Sequence, residues 1–464
     1  MRARQFAIIP LLLLVPALPA GAQDARSGAS PIAFGEALAR VRSSHEALQA
    51  ADKQRAQFEE ERKAARSLYW PTVAASGRYT RIDSPIQLDL EPIRDVILAL
   101  HPQVPPAAVP PFVETFQEER FWRANVHATW PVFTGGKVAA ANRAAEARVD
   151  DAKAEKRLTG DALVTELARR YYGLRLAESA REVRAEVLRG IDEHLREATR
   201  LEEEGMISRA ERLHAAVAQA DADRELKRAE QDVEIARAGL ANILSLPEAG
   251  DPSSPLVIGV TLDPLERLQQ AAQQEHPAFG VLAAQRSLAG QALAAERGKY
   301  LPDVYLFGMR ELHEGGLTVL DPKWAVGVGV SWTLFDGFER SHKVAAARLQ
   351  QQRVEDVERR ARLDVATIVE KRYRELTKAR EQFDALEASL DLGRENLRVR
   401  TRAFEEGFAT SLDVVDARLS LSRVELERLA AAYDYDVALA ELLEQSGQSD
   451  RLEQILATGR PVTR

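Results

Sequence analysis

Histidines and paired carboxylates are the side chains that run acid–base and metal chemistry, and this chain clusters neither. Its eight histidines are scattered, and no acid pair has helical spacing in a plausible pocket. Cysteine is absent, which excludes disulfides, a thiolate metal site and a lipidated N-terminal cysteine. Gly327-Val328-Gly329 lies inside a strand pattern and reads as small-face packing, not as a phosphate-cradling loop. No catalytic group, cofactor or metal is expected. The spacing that does recur belongs to tryptophan, whose amphipathic ring settles at the boundary between hydrocarbon and water.

In Lys323–Gly337, Trp324, Val326, Val328, Val330 and Trp332 alternate with Ala325, Gly327, Gly329 and Ser331. Period two predicts a strand with one apolar and one small face. The two tryptophans, eight residues apart, would stand ~26 Å apart at ~3.3 Å per residue. That is about the height of the apolar band of a membrane barrel, which aromatic girdles bound on both sides. Phe121–Gly135 repeats the pattern 202 residues earlier, with Trp122 on Trp324, Val126 on Val328, Trp130 on Trp332 and Gly135 on Gly337. Its second face is polar: Arg123, Asn125, His127 and Thr129. Lipid on one side and water on the other suits such a strand. An ordinary sandwich strand would carry one such pair, but the repetition favours the membrane strand.

The elements that position these strands follow from the rest of the chain. Arg2 and Arg4 precede the apolar run Phe6–Pro19, and Ala20-Gly21-Ala22 supplies a cleavage site, so residues 1–22 are expected to be a secretory signal peptide. The run is too short to span a bilayer. Without the two signal arginines, 61 basic face 71 acidic residues, a net charge of −10 that argues against nucleic acid as a partner.

The remainder reads as two repeats, 23–246 and 265–446, joined by a Pro/Gly/Ser linker at 247–264 and followed by a tail at 447–464. Each opens with a 33-residue helix, Phe34–Arg66 and Leu265–Arg297, that ends at Tyr69-Trp70-Pro71 or Tyr300-Leu301-Pro302. Hairpins at 71–133 and 302–335 follow, the first longer by a Pro-rich loop at 84–111 with a helical piece near Ile93–Leu100. Long helices at 137–201 and 339–406 come next, then turns around Gly205 and Gly407 and return helices at 209–246 and 412–444. Absence of proline between Pro131 and Pro247, and between Pro322 and Pro461, permits such lengths. Leu376, Phe383, Leu390, Leu397 and Phe404 recur every seven residues, a coiled-coil seam. The repeats make a tandem duplication. Four strands per chain cannot close a barrel, so several chains must share one.

This constellation resembles the TolC-type outer membrane efflux protein family. The resemblance covers nearly all of the chain beyond the signal segment. It rests on the duplication, the Tyr300-Leu301-Pro302 junction, the strand exit shared by Trp130–Gly135 and Trp332–Gly337, and the tip sequence Gly407–Ala417. It implies an α+β membrane protein: a homotrimer with one twelve-stranded β-barrel, four strands per chain, continuous with a long α-helical coiled-coil barrel in the periplasm. It implies outer membrane lipid around the barrel, and docking to a periplasmic adaptor driven by an inner-membrane pump. In that family aspartates ring the closed periplasmic tip. The matching positions are Asp413 and Asp416, with Glu211 and His214 equivalent in the first repeat. Asp413 would equally serve as a helix cap. Gly205, Met206, Gly407 and Phe408 match the segments expected to meet the adaptor, though glycine there also satisfies plain turn chemistry. A tyrosine and an arginine that hold the tip shut in family members are here Phe404 and Ala409, which cannot make those polar bonds, so the closed tip would be held by apolar contacts of Phe404 and Phe408 or be looser. The expected function is a passive duct for drugs or other small molecules. A type I protein-secretion duct shares the fold, and a periplasmic coiled-coil adaptor without a barrel is the reading from another class.

Overall fold

A computed structural model describes residues 30–463 except 314, 315 and 319. The signal segment expected at 1–22 lies outside the described residues.

Each repeat begins with two helices where the sequence pattern suggests one. α1 (Phe34–Ser44) gives way to α2 (Glu46–Ser67) at His45, and α6 (Leu265–Glu275) to α7 (Pro277–Gly298) at His276. Both histidines adopt extended backbone, and their Nδ1 atoms accept the amides of Ala47 (3.1 Å) and Ala278 (3.2 Å). An N-cap of this kind satisfies a donor that a continuous helix would bond internally. Pro277, with no amide to donate, starts α7 at the position where proline is tolerated.

The strands β1 (Thr72–Arg81), β4 (Arg120–Phe133), β6 (Asp303–Glu311) and β7 (Trp324–Ser331) form one antiparallel sheet in the order β1-β4-β6-β7. Between β1 and β4 the Pro-rich stretch folds on itself. A two-stranded ladder of β2 (Ile86–Asp89) and β3 (Val113–Gln117) flanks α3 (Glu91–Leu100), and Arg94 ties α3 to the carbonyls of Pro106 and Val109.

α4 (Lys137–Glu203) and α8 (Glu339–Glu405) are 67 residues each, ~100 Å at ~1.5 Å per residue. The return helices are α5 (Arg209–Ile243) and α9 (Ser411–Gln445). α4 packs along α5, α2, α7 and α9, and α7 lies between α4 and α8. Leu376, Phe383, Leu390 and Phe404 of the heptad seam on α8 are all buried.

The main core lies midway along the rod, where the linker and the C-terminal segment wrap the helices. Phe34, Tyr171 and Tyr172 pack ring on ring with centroids 5.3–5.4 Å apart. The linker holds β5 (Val257–Ile258), which pairs with β8 (Arg460–Pro461) just beyond α10 (Leu452–Leu456). Two neighbouring residues of α9 pin this ladder. Tyr435 accepts the amide of Val260 on its hydroxyl (3.0 Å), and Asp436 Oδ2 accepts that of Val257 (3.1 Å). Asp436 is fully buried and its Oδ1 has no partner. Burial pushes its carboxyl well above the ordinary aspartate range.

Asp436 therefore binds a proton in the folded chain that it releases when unfolded, and its contribution to stability falls as pH rises above about 4. Asp436→Asn, neutral at every pH, should be more stable than the parent at pH 7 by about 1–2 kcal/mol. The advantage should shrink on acidification towards pH 4. Thermal or denaturant melts of both proteins across that range check this; parallel curves would refute it.

Candidate functional site

Two regions carry the residues singled out by the sequence: the sheet at one end of the rod and the helical turns at the other.

Strand register assigns the sheet's two faces. Thr72 pairs with Thr129, Thr129 with Phe307 and Phe307 with Gly327, so alternate positions of all four strands align. One face carries Val73, Ala75 and Tyr79, then Trp122, Val126 and Trp130, then Val304 and Leu306, then Trp324, Val326, Val328 and Val330. It is apolar through its middle and exposed, with Val326 73% and Val328 64% accessible, and its charged residues, Arg81, Arg120 and Arg310, lie towards the end away from the helices. The opposite face carries Ser76, Arg78, Arg123, Asn125, His127 and Thr129, with Ser76 donating to Asn125 (2.8 Å) and Arg123 paired with Asp321.

The glycines of β7 lie on this second face, but they do not leave it small. A Cβ on Gly327 would come within 2.8 Å of the Phe307 ring, and one on Gly329 within 2.3 Å of the Tyr305 ring. The rings of β6 lie across the glycines of its neighbour, a cross-strand packing that single-strand alternation cannot reveal.

The four tryptophans divide by position. Trp130 and Trp332, at the helical end, donate from Nε1 to the carbonyls of Tyr69 (2.9 Å) and Tyr300 (3.0 Å). Each strand exit is thereby tied to the residue two before the proline that starts the preceding strand. At the far end Trp122 stacks on His313, centroids 3.8 Å apart and 19° between planes, and Trp324 is 66% exposed.

At the tip, Gly205 and Gly407 take left-handed conformations with φ of +73° and +80°, which allow each long helix to turn into its return helix. Met206 and Phe408 project beside them, 63% and 85% exposed. Phe404 faces inward, buried with Ala198, Leu201, Ala215 and Val414, its ring 4.6 Å from that of His194. Asp413 closes a capping box with Thr410: its Oδ2 accepts the Thr410 amide (2.9 Å) and hydroxyl (2.7 Å). Those bonds, with Arg400 at 3.3 Å, hold its carboxyl below the usual aspartate range. Asp416 and His214 are exposed and line a common groove between α5 and α9 of about 370 Å³, walled by Val187, Val217 and Leu412.

Glu211 occupies the position in the first repeat that Asp413 holds in the second, yet its carboxylate goes elsewhere. Its Oε2 accepts the amide of Ser411, the first residue of α9, at 2.7 Å. The Ser411 hydroxyl is buried against His194 Nε2 at 2.7 Å. One hairpin thus caps the return helix of the other. Burial, and the Arg418 guanidinium beside it, push the His194 imidazole below its ordinary value. The Arg418 guanidinium itself lies where a Cβ of Gly190 would stand. His194, Ser411 and Arg418 escape the sequence pattern. The available signal was the pair Ser208-x-x-Glu211 and Thr410-x-x-Asp413, two capping motifs at one offset of which only the second closes on itself. Among the described residues, no group of three or more metal-ligating side chains is placed to hold an ion.

The family model for outer membrane efflux proteins matches residues 37–245 and 268–448, one segment per repeat. The chain belongs to the outer membrane efflux protein family. It is a transport protein and not an enzyme. Among curated relatives, protein CyaE of Bordetella pertussis is 28% identical over 278 residues, 57% of this chain and 58% of that protein, so the match spans little more than half of the relative. Several solved structures share the fold. The CmeC outer membrane channel of Campylobacter jejuni superposes with a TM-score of 0.73 at 14% identity, covering 90% of this chain and 86% of that one. The open-state MtrE channel of Neisseria gonorrhoeae gives 0.71 at 19%, covering 90% and 89%. Vibrio cholerae VceC gives 0.71 at 16%, covering 89% and 96%. The architecture of helical rod and β-domain in this efflux protein is that of these outer membrane channels. Among the described residues no helix is long and apolar enough to cross a membrane.

The bond from Glu211 to the Ser411 amide is charge-assisted and worth about 1.5–3 kcal/mol. Glu211→Ala should therefore speed hydrogen exchange at the start of α9 about 10- to 100-fold. His194 adds a pH dependence. Its folded pKa is depressed, so the unfolded tip binds the proton more readily and the tip weakens as pH falls below 6.5. The protection of the Ser411 amide relative to its intrinsic exchange rate should fall on acidification below pH 6.5 in the parent and stay constant in His194→Gln. Identical profiles in both would show that His194 does not govern the tip.

Proposed function

We propose that this efflux protein acts as a homotrimer. Three copies of the four-stranded sheet close a twelve-stranded barrel in the outer membrane. The helices continue it as a coiled-coil barrel in the periplasm. The reading rests chiefly on one observation: an exposed face, apolar but for arginines towards the end away from the helices, runs across all four strands of a sheet whose edges, β1 and β7, have no partner strand among the described residues. An open edge cannot persist in hydrocarbon, and closure removes it.

The helices support the same reading. Leu349, Leu363, Leu392 and Val399 of α8 are spaced 14, 29 and 7 residues apart, near whole heptads, and are 48–74% exposed. They lie on the side of α8 opposite the buried Leu376–Phe404 seam, a second seam that a neighbouring copy would cover. In this assembly the chain is a passive duct. A periplasmic adaptor docks at the Gly205-Met206 and Gly407-Phe408 turns, an inner-membrane pump supplies energy, and drugs or other small molecules are the cargo. Asp413, Asp416, Glu211 and His214 lie at the end of the rod where such a duct would be gated, with Phe404 in the packing beneath them.

The assembly is tested by the mass of the detergent-solubilised protein, expected to be three chains; a monomer would overturn the trimer. The cargo is tested by deleting the gene. Sensitivity to a compound panel should rise while the set of secreted proteins stays intact. The reverse pattern would assign protein secretion instead.

A further inference from the structure

We infer that a groove between α2 and α4 binds the phosphate of a phospholipid headgroup in the leaflet facing the helical rod. The groove, about 440 Å³, is lined by Arg62, Arg66, Arg143, Tyr69 and Trp70, with Glu146 the single acid on its wall. None of the three arginines makes an ion pair with a described residue. Arg62 Nε is shielded from solvent and has no hydrogen-bond partner. Elsewhere on the rod about half of the basic side chains pair with a carboxylate three or four residues away, whereas here three arginines without such a pair share one groove.

Its position supplies the ligand. Tyr69 and Trp70 immediately precede Pro71 and β1, and the Tyr69 carbonyl takes the indole hydrogen bond of Trp130. Val73, two residues further, begins the apolar face. The groove therefore lies directly outside the apolar band, at headgroup depth. There, guanidinium groups fork onto phosphate oxygens, and exposed Trp70 (70%) and Tyr69 (50%) suit the interface. The duplicated scaffold does not require it: the equivalents of Arg62, Trp70 and Arg143 in the second repeat are Leu293, Leu301 and Ala345. The inference rests on the membrane reading of the sheet given above.

The test uses the full detergent-solubilised protein titrated with phosphatidylglycerol, and with diacylglycerol of the same chains as the phosphate-free control, read by native mass spectrometry. Phosphatidylglycerol should bind and diacylglycerol should not. The triple variant R62Q/R66Q/R143Q should bind phosphatidylglycerol about 100-fold more weakly, at roughly fivefold per basic side chain near an anionic headgroup. The lysine triple, R62K/R66K/R143K, keeps the charge without the fork and should bind with an affinity between those of the parent and the glutamine triple. Equal affinity in parent and glutamine triple would overturn the site. So would displacement by inorganic phosphate at equal concentration, which would mark an anion site without lipid. Loss of the oligomer in the glutamine triple with lipid binding unchanged would assign the arginines to carboxylates of a neighbouring copy. Failure of the membrane reading would show separately, as parent protein that stays soluble without detergent.

Discussion

Backbone hydrogen bonding is the constraint from which the rest of this architecture follows. In water an unpaired strand edge is solvated; in hydrocarbon it is not, and each orphaned amide or carbonyl costs several kcal/mol. The β1-β4-β6-β7 sheet presents a largely apolar face across four strands and two edges with no partner among the described residues. A face of that kind belongs in lipid, and edges of that kind cannot be left there. Neither condition can be met by a single copy, which is why the sheet argues for an assembly before any helix is considered. The same demand operates where the chain leaves the sheet. The Tyr69 and Tyr300 carbonyls fall between the end of a helix and the start of a strand, and the indoles of Trp130 and Trp332 satisfy them. The two indoles thereby complete the hydrogen bonding of the chain where helix passes into strand.

Duplication provides this scaffold twice, and the repeats then diverge where function would require it. The long helices have equal length, and both junctions carry the same Trp-to-carbonyl bond. At the tip, however, Asp413 closes on its own helix while Glu211, one methylene longer, crosses to Ser411. A helix N-terminus holds amides without internal partners, and either acid can serve it. Which helix is served depends on side-chain reach. The extra methylene converts a local cap into a bond between hairpins, in a chain whose Phe404 and Ala409 lack the polar groups with which relatives are expected to join them.

Much of this was legible in the sequence because it is carried by local periodicity. Alternation marked the Trp strands, heptads marked the seam of α8, and offsets of 231 up to the first strand and 202 from the Trp strand onward marked the duplication. What escaped is carried by contacts distant in sequence. His45 and His276 break helices that apolar pattern alone would continue, by turning a ring nitrogen onto the amide two residues ahead, although Pro277 was a visible warning. Pairing of Val257–Ile258 with Arg460–Pro461 joins two dipeptides some two hundred residues apart and leaves no local trace, so a linker and a tail conceal a ladder. The small face of β7 seemed open in one dimension and is filled by rings from β6 in three. At the tip, the acids were visible as residue types, but their bonds were not: a capping motif announces that an acid will cap, without announcing whose helix.

The distribution of packing along the rod has a consequence for gating. The main core gathers at the level of the β5–β8 ladder, with Tyr171, Tyr172, Phe383 and Leu439 fully enclosed. The tip has its own small cluster of Ala198, Leu201, Ala215, Phe404 and Val414, not continuous with that core. So little apolar burial leaves a larger share of the tip's stability to a few polar bonds: Glu211 to Ser411, His194 to Ser411, and the Thr410–Asp413 box. Segments with small cores and discrete polar ties open at lower free energy than the elements they extend from. The proposed duct, opening at one end while its barrel stays closed, would need that gradient. Here it arises from cluster size, since the tip encloses only Ala198, Leu201, Ala215, Phe404 and Val414, whereas the main core adds the linker and the C-terminal segment to the helices. Loosening of the tip then requires exchange of a few hydrogen bonds with water and leaves the main core intact.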